Sequence, residues 1–209
     1  MAVKKIKKVI SRGLQDILTQ RLNADFTAYT GDPVKWQGDT SLTFTPSQTT
    51  TELASGNDPA WDALKGPVVG DVELKLYDIP LDAMPELLGV KYSAADGVCV
   101  GDSDDDETWL GLSADKLVKT DEGESRNKII LYKVCFDLPS IESKTTTKDD
   151  TAVAEITLKG KAYPVFYTKK DGEGSRTYCI VNSKTNKTKY DANAEAIVFP
   201  SEFTPDNGD

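Results

Sequence analysis

The sequence predicts a mainly β fold, an antiparallel β-sandwich or barrel with one flanking α-helix. Short segments of alternating apolar and polar residues recur along the 209-residue chain and are bounded by glycine, proline and asparagine. Only one segment has a clear helical pattern with matching start and stop residues. Strands and helices do not alternate in order, which argues against a parallel nucleotide-binding sheet.

The first third of the chain has the most ambiguous pattern. Val3–Leu18 places apolar residues at near-helical spacing, interrupted by a glycine, so we expect a helix or a flexible arm there. Leu42–Pro46 alternates apolar residues with threonine, which predicts a strand that ends at its proline. Ser55–Gly66 contains glycine, asparagine and proline and is predicted to be a loop.

The clearest strand, Asp71–Tyr77, is followed by the one predicted helix. The apolar face of the strand carries Val72, Leu74 and Leu76. The helix is predicted over Leu81–Leu88, with Asp78 or Asp82 at its start and Gly89 at its end. We expect its apolar side chains to cover one face of the sheet: Leu81, Met84, Leu87 and Leu88.

The later segments complete a sheet of about seven to nine strands. Strands are predicted over Tyr92–Val100 (a hairpin turning at Asp96 and Gly97), Trp109–Leu117, Asn127–Phe136, Val153–Tyr163 and Arg176–Asn182. Asn127–Phe136 is apolar on both faces, which indicates either a buried strand or a face reserved for a partner. Ser143–Thr151 is a predicted flexible loop, and Ala192–Phe199 a last short helix or turn.

Charge is unevenly distributed along the chain. The formal net charge is −9. Residues 1–21 contain six basic residues and one acidic residue, a net of +5, which leaves −14 for the remainder. A basic arm on an acidic body predicts head-to-tail attraction between copies. An acidic body also repels phosphate, so we expect no specific binding of nucleic acid.

Several classes of chemistry are excluded or disfavoured by composition. The chain has no histidine, which removes Ser-His-Asp and Cys-His catalysis and histidine metal sites. Cys99, Cys135 and Cys179 are odd in number and widely spaced, so we expect reduced thiols in a cytoplasmic product. No apolar run approaches the roughly 20 residues of a membrane span, and no signal peptide is evident. Histidine-dependent catalysis and histidine metal sites are therefore not expected, and no two carboxylates stand out as a catalytic pair.

One acidic run and one glycine-rich segment have alternative readings. The acidic run consists of Asp102, Asp104, Asp105, Asp106 and Glu107. It could bind a hard cation, but it lacks the spacing of an EF-hand loop, so a solvated loop is the simpler interpretation. It could also face a lumen or accept the basic arm of a neighbouring copy. Gly172–Ser175 lacks the ending of a phosphate-binding loop and is predicted to be a hairpin tip.

The basic run and the tryptophans are also open to more than one interpretation. The run consists of Lys4, Lys5, Lys7 and Lys8. It has no aromatic residue, and an exposed arm, an arm docked on a neighbouring subunit, and a nucleic-acid or membrane contact all remain open. For Trp36, Trp61 and Trp109, packing in a core or interface is favoured over a sugar-stacking platform.

The central block GDVELKLYDIPLDAMPELLGV (Gly70–Val90) resembles the strand-then-helix block of major tail proteins from siphophages of Gram-positive hosts. Three later blocks follow in the family's order: WLGL (Trp109–Leu112), KIILYKVCF (Lys128–Phe136) and ITLKGKAYP (Ile156–Pro164). Weaker matches lie upstream, at Gly13–Ile17 and Gly31–Leu53. The resemblance covers Gly13–Val165, while the lysine-rich start and the loop around Trp61 depart from the pattern.

The resemblance implies a tail-tube-protein-like subunit without enzyme activity or cofactor. Six subunits would form a ring, and stacked rings would make the conduit for DNA ejection, through which DNA passes without specific binding. The implied partners are the protein itself and the tail tip or initiator, tape measure and tail terminator proteins, with no membrane. The implied location is the virion tail, with synthesis in the cytoplasm of the host bacterium.

The domain and interface predictions follow from this. Residues 1–12 are a predicted basic arm, 13–199 a single tail-tube β domain, and 200–209 a flexible tail. Sheet pairing between copies is expected at Asn127–Phe136 and Ala152–Ala162, and ring-to-ring contact at the lysine arm, Ser55–Gly66 and Ser143–Thr151. Candidate interface residues are Lys4, Lys5, Lys7, Lys8, Trp61, Tyr132, Lys144 and Lys148. Candidate lumen-facing or arm-accepting acids are Asp102, Asp104, Asp105 and Asp106.

Other functions remain as alternatives. A soluble β-sandwich binding module, carbohydrate-binding or adhesin-like, would use exposed tryptophans and stay monomeric. A hydrolase with two carboxylates would need a cleft that holds a carboxyl group of raised pKa. The secreted ring protein of bacterial injection systems shares the tube principle, but the order of the blocks favours a virion part.

Overall fold

The computed structural model describes residues 9–37, 39–55, 58–102, 105–121, 123–140 and 155–201. The predicted loop Ser143–Thr151 lies outside these residues, and so does Asp104. The candidate lysines of the basic N-terminal segment (residues 1–12) and of that loop also lie outside them. Predictions that concern them stay predictions, and so does the division into arm, domain and tail.

The described chain is mainly β and antiparallel, which confirms the predicted fold class. Its strands are β1 (Val9–Leu22), β2 (Tyr29–Lys35), β3 (Asp39–Ser55), β4 (Asp58–Leu76), β5 (Lys91–Ser93), β6 (Val98–Val100), β7 (Leu110–Thr120), β8 (Gly123–Phe136), β9 (Ile156–Tyr163), β10 (Val165–Lys169), β11 (Gly172–Arg176) and β12 (Tyr178–Asn182). Two short helices, α1 (Met84–Leu88) and α2 (Lys187–Ala192), accompany them.

One large antiparallel sheet organises the molecule. Its strand order is β2-β1-β7-β8-β9-β4-β3, and β12 joins it by pairing with β8. Strand β1, near one end of this order, also contacts β3 at the other end. The sheet therefore curls toward closure around an interior cluster of apolar side chains.

Strands β9 and β12 form one interrupted line beside β8. Residues 133–136 of β8 pair with β9, from Lys133 opposite Tyr163 to Phe136 opposite Gly160. Residues 127–131 of β8 pair with β12, beginning at Leu131 opposite Tyr178. The β10–β11 hairpin leaves the sheet between Tyr163 and Tyr178, and the chain then rejoins the same edge of β8.

Strand β8 is covered on both faces, as its apolar pattern predicts. Leu131 and Val134 belong to the interior cluster, whereas Ile130 and Tyr132 belong to a second cluster on the other face. That second cluster is completed by residues of the chain's own C-terminal segment, including Ile197. The alternative of a buried strand is thus the correct one. Burial of each large apolar side chain stabilises the fold by roughly 1.5–3 kcal/mol.

The helix expected within Val3–Leu18 is wrong for its described part, because Val9–Leu22 is strand β1. This strand pairs with β2 on one side and β7 on the other. Its register with β7 shifts twice, and Gly13 and Asp16 lie near those shifts with positive φ angles of 56° and 52°. Bulges insert extra residues and so disturb the two-residue alternation. The apolar residues of β1 are therefore spaced at intervals close to those of an amphipathic helix.

The loop predicted over Ser55–Gly66 is also wrong. Strand β3 continues through Pro46 to Ser55, and residues 58–66 belong to β4. Proline is tolerated at Pro46 because β3 is an edge strand of the sheet. The central part of β4 matches its prediction, since Val72, Leu74 and Leu76 are all buried.

Helix α1 ends as predicted but begins later. Gly89 terminates it in the left-handed conformation, with φ of 75°, and an added Cβ would lie 2.4 Å from the Asp106 carbonyl oxygen. The helix begins after Ala83, and no side chain caps it; Asp78 instead accepts a hydrogen bond from the Ile79 N–H. Leu87 is buried, but Leu81 is 48% exposed, so its predicted role in covering the sheet is wrong.

The remaining elements are close to their predicted places. The Tyr92–Val100 hairpin forms as β5 and β6. Gly172–Ser175 lies in the return strand β11, so the hairpin turn falls just before it, at residues 170–171. The last helix, α2, precedes the predicted Ala192–Phe199, because Asn186 caps its start by accepting a hydrogen bond from the Lys189 N–H at 3.0 Å.

Candidate assembly interface

Strand β3 presents a long margin of the sheet. It is the last strand in the order, and among the described residues no strand pairs with its outer edge. It spans 17 residues, and from Thr40 to Thr51 it carries no charged side chain. Long edges without charge are templates for pairing with another chain. The opposite end strand, β2, is shorter and carries the charge of Asp32, which discourages such pairing; each of the two edge strands contains one proline, Pro33 in β2 and Pro46 in β3.

The outer parts of β3 and β4 project as a two-stranded arm. We define the arm as residues 48–55 and 58–66. Strand β9 pairs with β4 from Gly70 onward, so within the described part of the chain the two strands of the arm pair with each other alone. Pro67 has no N–H to donate to a ladder, which helps to explain why β4 separates from the sheet there. An arm of eight residues per strand reaches roughly 26 Å.

The arm side chains that the structure describes form no core of their own. Consecutive side chains from Thr45 to Glu52 are exposed, and Leu64 on the other strand is 57% exposed. An isolated hairpin is marginally stable in water. The arm therefore gains most if another surface covers it. Trp61 lies on this arm, but its side chain is outside the described part of the structure.

The strand registers give the sheet two distinct ends. Val9 of β1 lies opposite Thr120, which lies opposite Gly123 of β8. We call this the arm end, because β4 runs parallel to β8 and residues 58–66 extend in the same direction. We call the other the loop end; the acidic run directly precedes Leu110 there. The 11 residues of β7 separate the two ends by roughly 36 Å.

Part of the acidic run is held by the chain itself. Lys91 Nζ lies 2.8 Å from Asp102 Oδ2 and 3.3 Å from Asp105 Oδ1. The backbone N–H of Asp102 and the charge of Lys91 lower the pKa of Asp105. Asp106 and Glu107 are exposed beside them. The described acids therefore offer a negative surface at the loop end, in which the lowered pKa favours the ionised form of Asp105.

A network of charged side chains, which the sequence analysis did not identify, ties β1, β2, β7, β8 and α2 together. Asp115 and Lys128, directly opposite on β7 and β8, form a buried ion pair of 2.8 Å. The Tyr190 hydroxyl of α2 donates a hydrogen bond to the Asp115 carboxylate. Burial of the hydroxyl, together with this hydrogen bond and the negative charge of Asp115, raises the pKa of Tyr190 to about 12. Nearby, Lys35 lies 2.6 Å from Asp16 and lowers the pKa of that carboxyl group.

An aromatic cluster encloses a lysine at the loop end. Lys133 Nζ lies 3.3 Å from the ring centroid of Phe26 and 4.4 Å from that of Trp109. Trp109 also packs edge-on against Tyr163. Burial lowers the pKa of Lys133. Such cation–π contacts stabilise folds by about 0.5–2 kcal/mol each, so this cluster fixes the β7–β8–β9 junction.

The structure separates the predicted interface residues. Tyr132 is 1% exposed and packs in the second cluster, where burial raises its pKa. A side chain this buried does not contact a neighbouring copy, so Tyr132 is removed from the candidate interface. Trp36 is a core residue, and its indole N–H donates to Thr19 Oγ1 at 2.8 Å. Cys99, Cys135 and Cys179 are free thiols, each half-buried.

The described residues contain neither a grouped set of metal ligands nor a membrane-spanning helix. No three histidine, cysteine, aspartate or glutamate residues there are grouped so that they could hold a metal ion. Within the same residues, no helix has the length and apolar character needed to cross a membrane.

Comparison with known proteins finds similarity to solved structures. No protein-family model matches the chain, and no curated protein sequence matches it. The fold is similar to a chain in the cryo-EM structure of the anti-feeding prophage (AFP) baseplate, 6-fold symmetrised. The TM-score is 0.33 at 9% sequence identity, over 87% of this chain and 97% of that chain.

Proposed function

We propose that this protein is a structural subunit of a bacteriophage tail tube, assembled from many copies of one chain. The observation that carries the proposal is the 17-residue outer edge of β3, which no described strand pairs and which continues into an exposed arm. A sheet margin of this kind satisfies its backbone groups when a neighbouring chain pairs with it. The resemblance of Gly70–Pro164 to siphophage major tail proteins supports the same conclusion.

Ring formation requires one surface of a subunit to meet a different surface of the next. Such heterologous contacts close into a ring when the rotation between copies is a whole fraction of a turn. The resemblance to siphophage major tail proteins implies six copies. The outer edge of β3 supplies one of the two surfaces. Strands Asn127–Phe136 and Ala152–Ala162, where pairing between copies was expected, lie inside the sheet in their described parts, so that expectation is wrong for those parts: neighbouring strands of the same chain flank them.

Ring stacking follows from the polarity of the sheet. The chain runs from its lysine-rich first residues into β1 at the arm end, and the acidic run lies at the loop end. When rings stack head to tail, the arm end of one ring faces the loop end of the next. Opposite charges then meet at each junction, and the contact repeats without closing, as a filament requires.

The negative body suits a conduit for DNA. A body of net charge −14 outside the first 21 residues offers few contacts to phosphate and repels it. DNA would then pass during ejection without being retained. The proposal includes no catalysis and no cofactor, and it places the protein in the virion tail with the tail tip, tape measure and tail terminator proteins as partners.

A pair of matched substitutions tests the role of the arm. Leu64→Glu places a charge on the exposed arm, and Val98→Glu places one on β6, where the side chain is 48% exposed. Neither change removes a buried contact, so both variants should unfold within about 0.5 kcal/mol of the wild type. We expect the wild type and Val98→Glu to form rings or tubes at rising concentration, and Leu64→Glu to form few or none.

Light scattering and negative-stain electron microscopy provide the measurement, with the tail initiator present. Strictly monomeric wild-type protein under these conditions would contradict the proposal and favour a soluble binding module. Normal tubes from Leu64→Glu would remove the arm from the interface while leaving the β3 edge to be tested by itself.

A further inference from the structure

Besides the edge of β3, the sheet has a second unpaired edge among the described strands: the side of β12 that faces away from β8. The Thr177 carbonyl oxygen accepts from the Tyr132 N–H at 3.0 Å, and the Ser183 N–H donates to the Arg126 carbonyl oxygen at 2.8 Å. In an antiparallel pair, alternate residues direct their backbone groups to the same neighbour. The backbone N–H and C=O of Ile180, with the opposite parity, therefore point away from β8. Among the described residues no strand pairs with them.

This edge forms one wall of a groove. Helix α2 forms the other wall, and the groove of about 470 Å³ is lined by Arg176, Cys179, Ile180, Asn186 and Lys189, among others. Ile180 is 57% exposed in the middle of the edge. An apolar side chain on an open strand edge promotes unwanted association, and proteins usually cover such an edge.

The chain itself returns to the start of this groove. After β12 and α2, the C-terminal segment crosses the second cluster through Ile197 and Phe199. Arg176 Nη1 then donates to the Ser201 carbonyl oxygen at 3.0 Å. Since Arg176 also lines the groove and lies two residues before β12, the last described residue, Ser201, is held near the end of the groove where β12 begins.

We propose that residues 202–209 of the same chain bind along the outer edge of β12 as an additional parallel strand. A parallel neighbour needs a crossover connection of about a dozen residues or more, usually with a helix. Residues 183–201, which include α2, provide that connection. Eight residues extend roughly 26 Å, which exceeds the roughly 17 Å of the five-residue β12.

The chemistry of the tail matches the groove. Its acidic residues are Glu202, Asp206 and Asp209, and it contains no lysine or arginine. The groove presents the cations of Arg176 and Lys189, and Phe203 of the tail can cover exposed apolar surface beside Ile180. Bound along β12, the tail would be the outermost strand on this side of the sheet. Its acids and Pro205 would make that margin unsuitable for further pairing.

The inference concerns the single subunit and does not depend on the proposed function. Covering the β12 edge leaves β3 as the long uncharged margin, so the tail directs association to one side of the sheet. A second copy's tail in the same groove is the competing occupant, and the experiment below distinguishes the two.

A cysteine scan of the tail tests the proposal in the full-length protein. Single cysteines replace Phe203, Thr204, Pro205 and Asp206 in turn, and a short bis-maleimide reagent joins them to native thiols. We expect cross-links to Cys179 within one chain, several-fold stronger at alternate positions, as the two-residue period of a strand requires. Cys99 and Cys135 are built-in controls, and they should react far less.

Peptide mass spectrometry identifies the linked pairs, and gel mobility separates links within a chain from links between chains. Links between chains would overturn the proposal in favour of a second copy's tail. Equal reaction at all four positions, or no preference for Cys179, would overturn it altogether.

Hydrogen exchange of the Ile180 amide gives a second readout. Deleting residues 202–209 should speed its exchange about fivefold or more, because the amide loses its hydrogen-bond acceptor. The Leu158 amide in the centre of the sheet should be unchanged and serves as the control. An unchanged rate at Ile180 would also overturn the proposal.

Discussion

The buried ion pair between Asp115 and Lys128 gives a sharp test of how the charge network stabilises the fold. Their side chains are 4% and 3% exposed, and the Lys128 ammonium lies 2.8 Å from Asp115. Asp115→Asn leaves that ammonium buried without the carboxylate it contacts. The same substitution also removes the anion from Arg126, whose Nη1 lies 3.9 Å from the other carboxylate oxygen of Asp115.

The expected loss follows from the cost of an unpaired buried charge. Removing one partner of such a pair destabilises a protein by about 3–5 kcal/mol. A domain of this size unfolds at about 5–15 kcal/mol, so Asp115→Asn should lose a large fraction of the total. The double variant Asp115→Leu with Lys128→Met removes both charges, and it should be more stable than Asp115→Asn because no charge remains buried alone.

Urea unfolding followed by circular dichroism measures these differences as shifts in the midpoint at constant slope. The control is Lys187→Met, which breaks a 2.6 Å ion pair with Asp191 whose side chains are 75% and 53% exposed. Its cost should stay below about 0.5 kcal/mol. A loss of under about 1 kcal/mol for Asp115→Asn, or a double variant no better than the single one, would refute the reasoning.

Two further predictions concern the sheet. Because Lys35 lowers the pKa of Asp16 in the fold, this carboxylate stabilises the protein above its unfolded pKa of about 3.8, and that contribution disappears as the pH falls further. Asp16→Asn should therefore flatten the acid limb of the stability curve measured by thermal melts. An added Cβ at Gly160 would lie 2.1 Å from the Cys135 carbonyl oxygen, so Gly160→Ala should lose about 1–3 kcal/mol in urea. Gly66→Ala, with 3.5 Å of room, is its control and should change little.

The sequence predicts an element well where local pattern and tertiary pairing agree. In β4, Val72, Leu74 and Leu76 alternate with charged residues, and this face is buried as expected. In β1 the pattern misleads, because the bulges near Gly13 and Asp16 change the spacing of the apolar residues. A bulge depends on the neighbouring strand, so no property of the segment alone reveals it.

The candidate interface was harder to predict than the fold. Residues 58–66 have the composition of a loop, yet they form a strand because β3 provides a partner along their whole length. The open edge of β3 is a property of strand order, which only the three-dimensional structure supplies. The Asp115–Lys128 pair joins residues 13 positions apart in the sequence, with nothing in either segment to link them. The separation of a lysine-rich start from an acidic remainder is visible in the sequence, and the placement of those lysines in the assembly stays a prediction.

The interrupted line of β9 and β12 has a consequence for how this chain can vary. Tyr163 and Tyr178 pair with nearby residues of β8, so the sheet fixes the positions of the two ends of the β10–β11 hairpin but does not constrain the length of the hairpin. The exposed turn at residues 170–171 can then be lengthened or exchanged without displacing any other strand. The molecule thus has a natural grafting point, at which a foreign peptide or a whole accessory module could be spliced into every copy of an assembly.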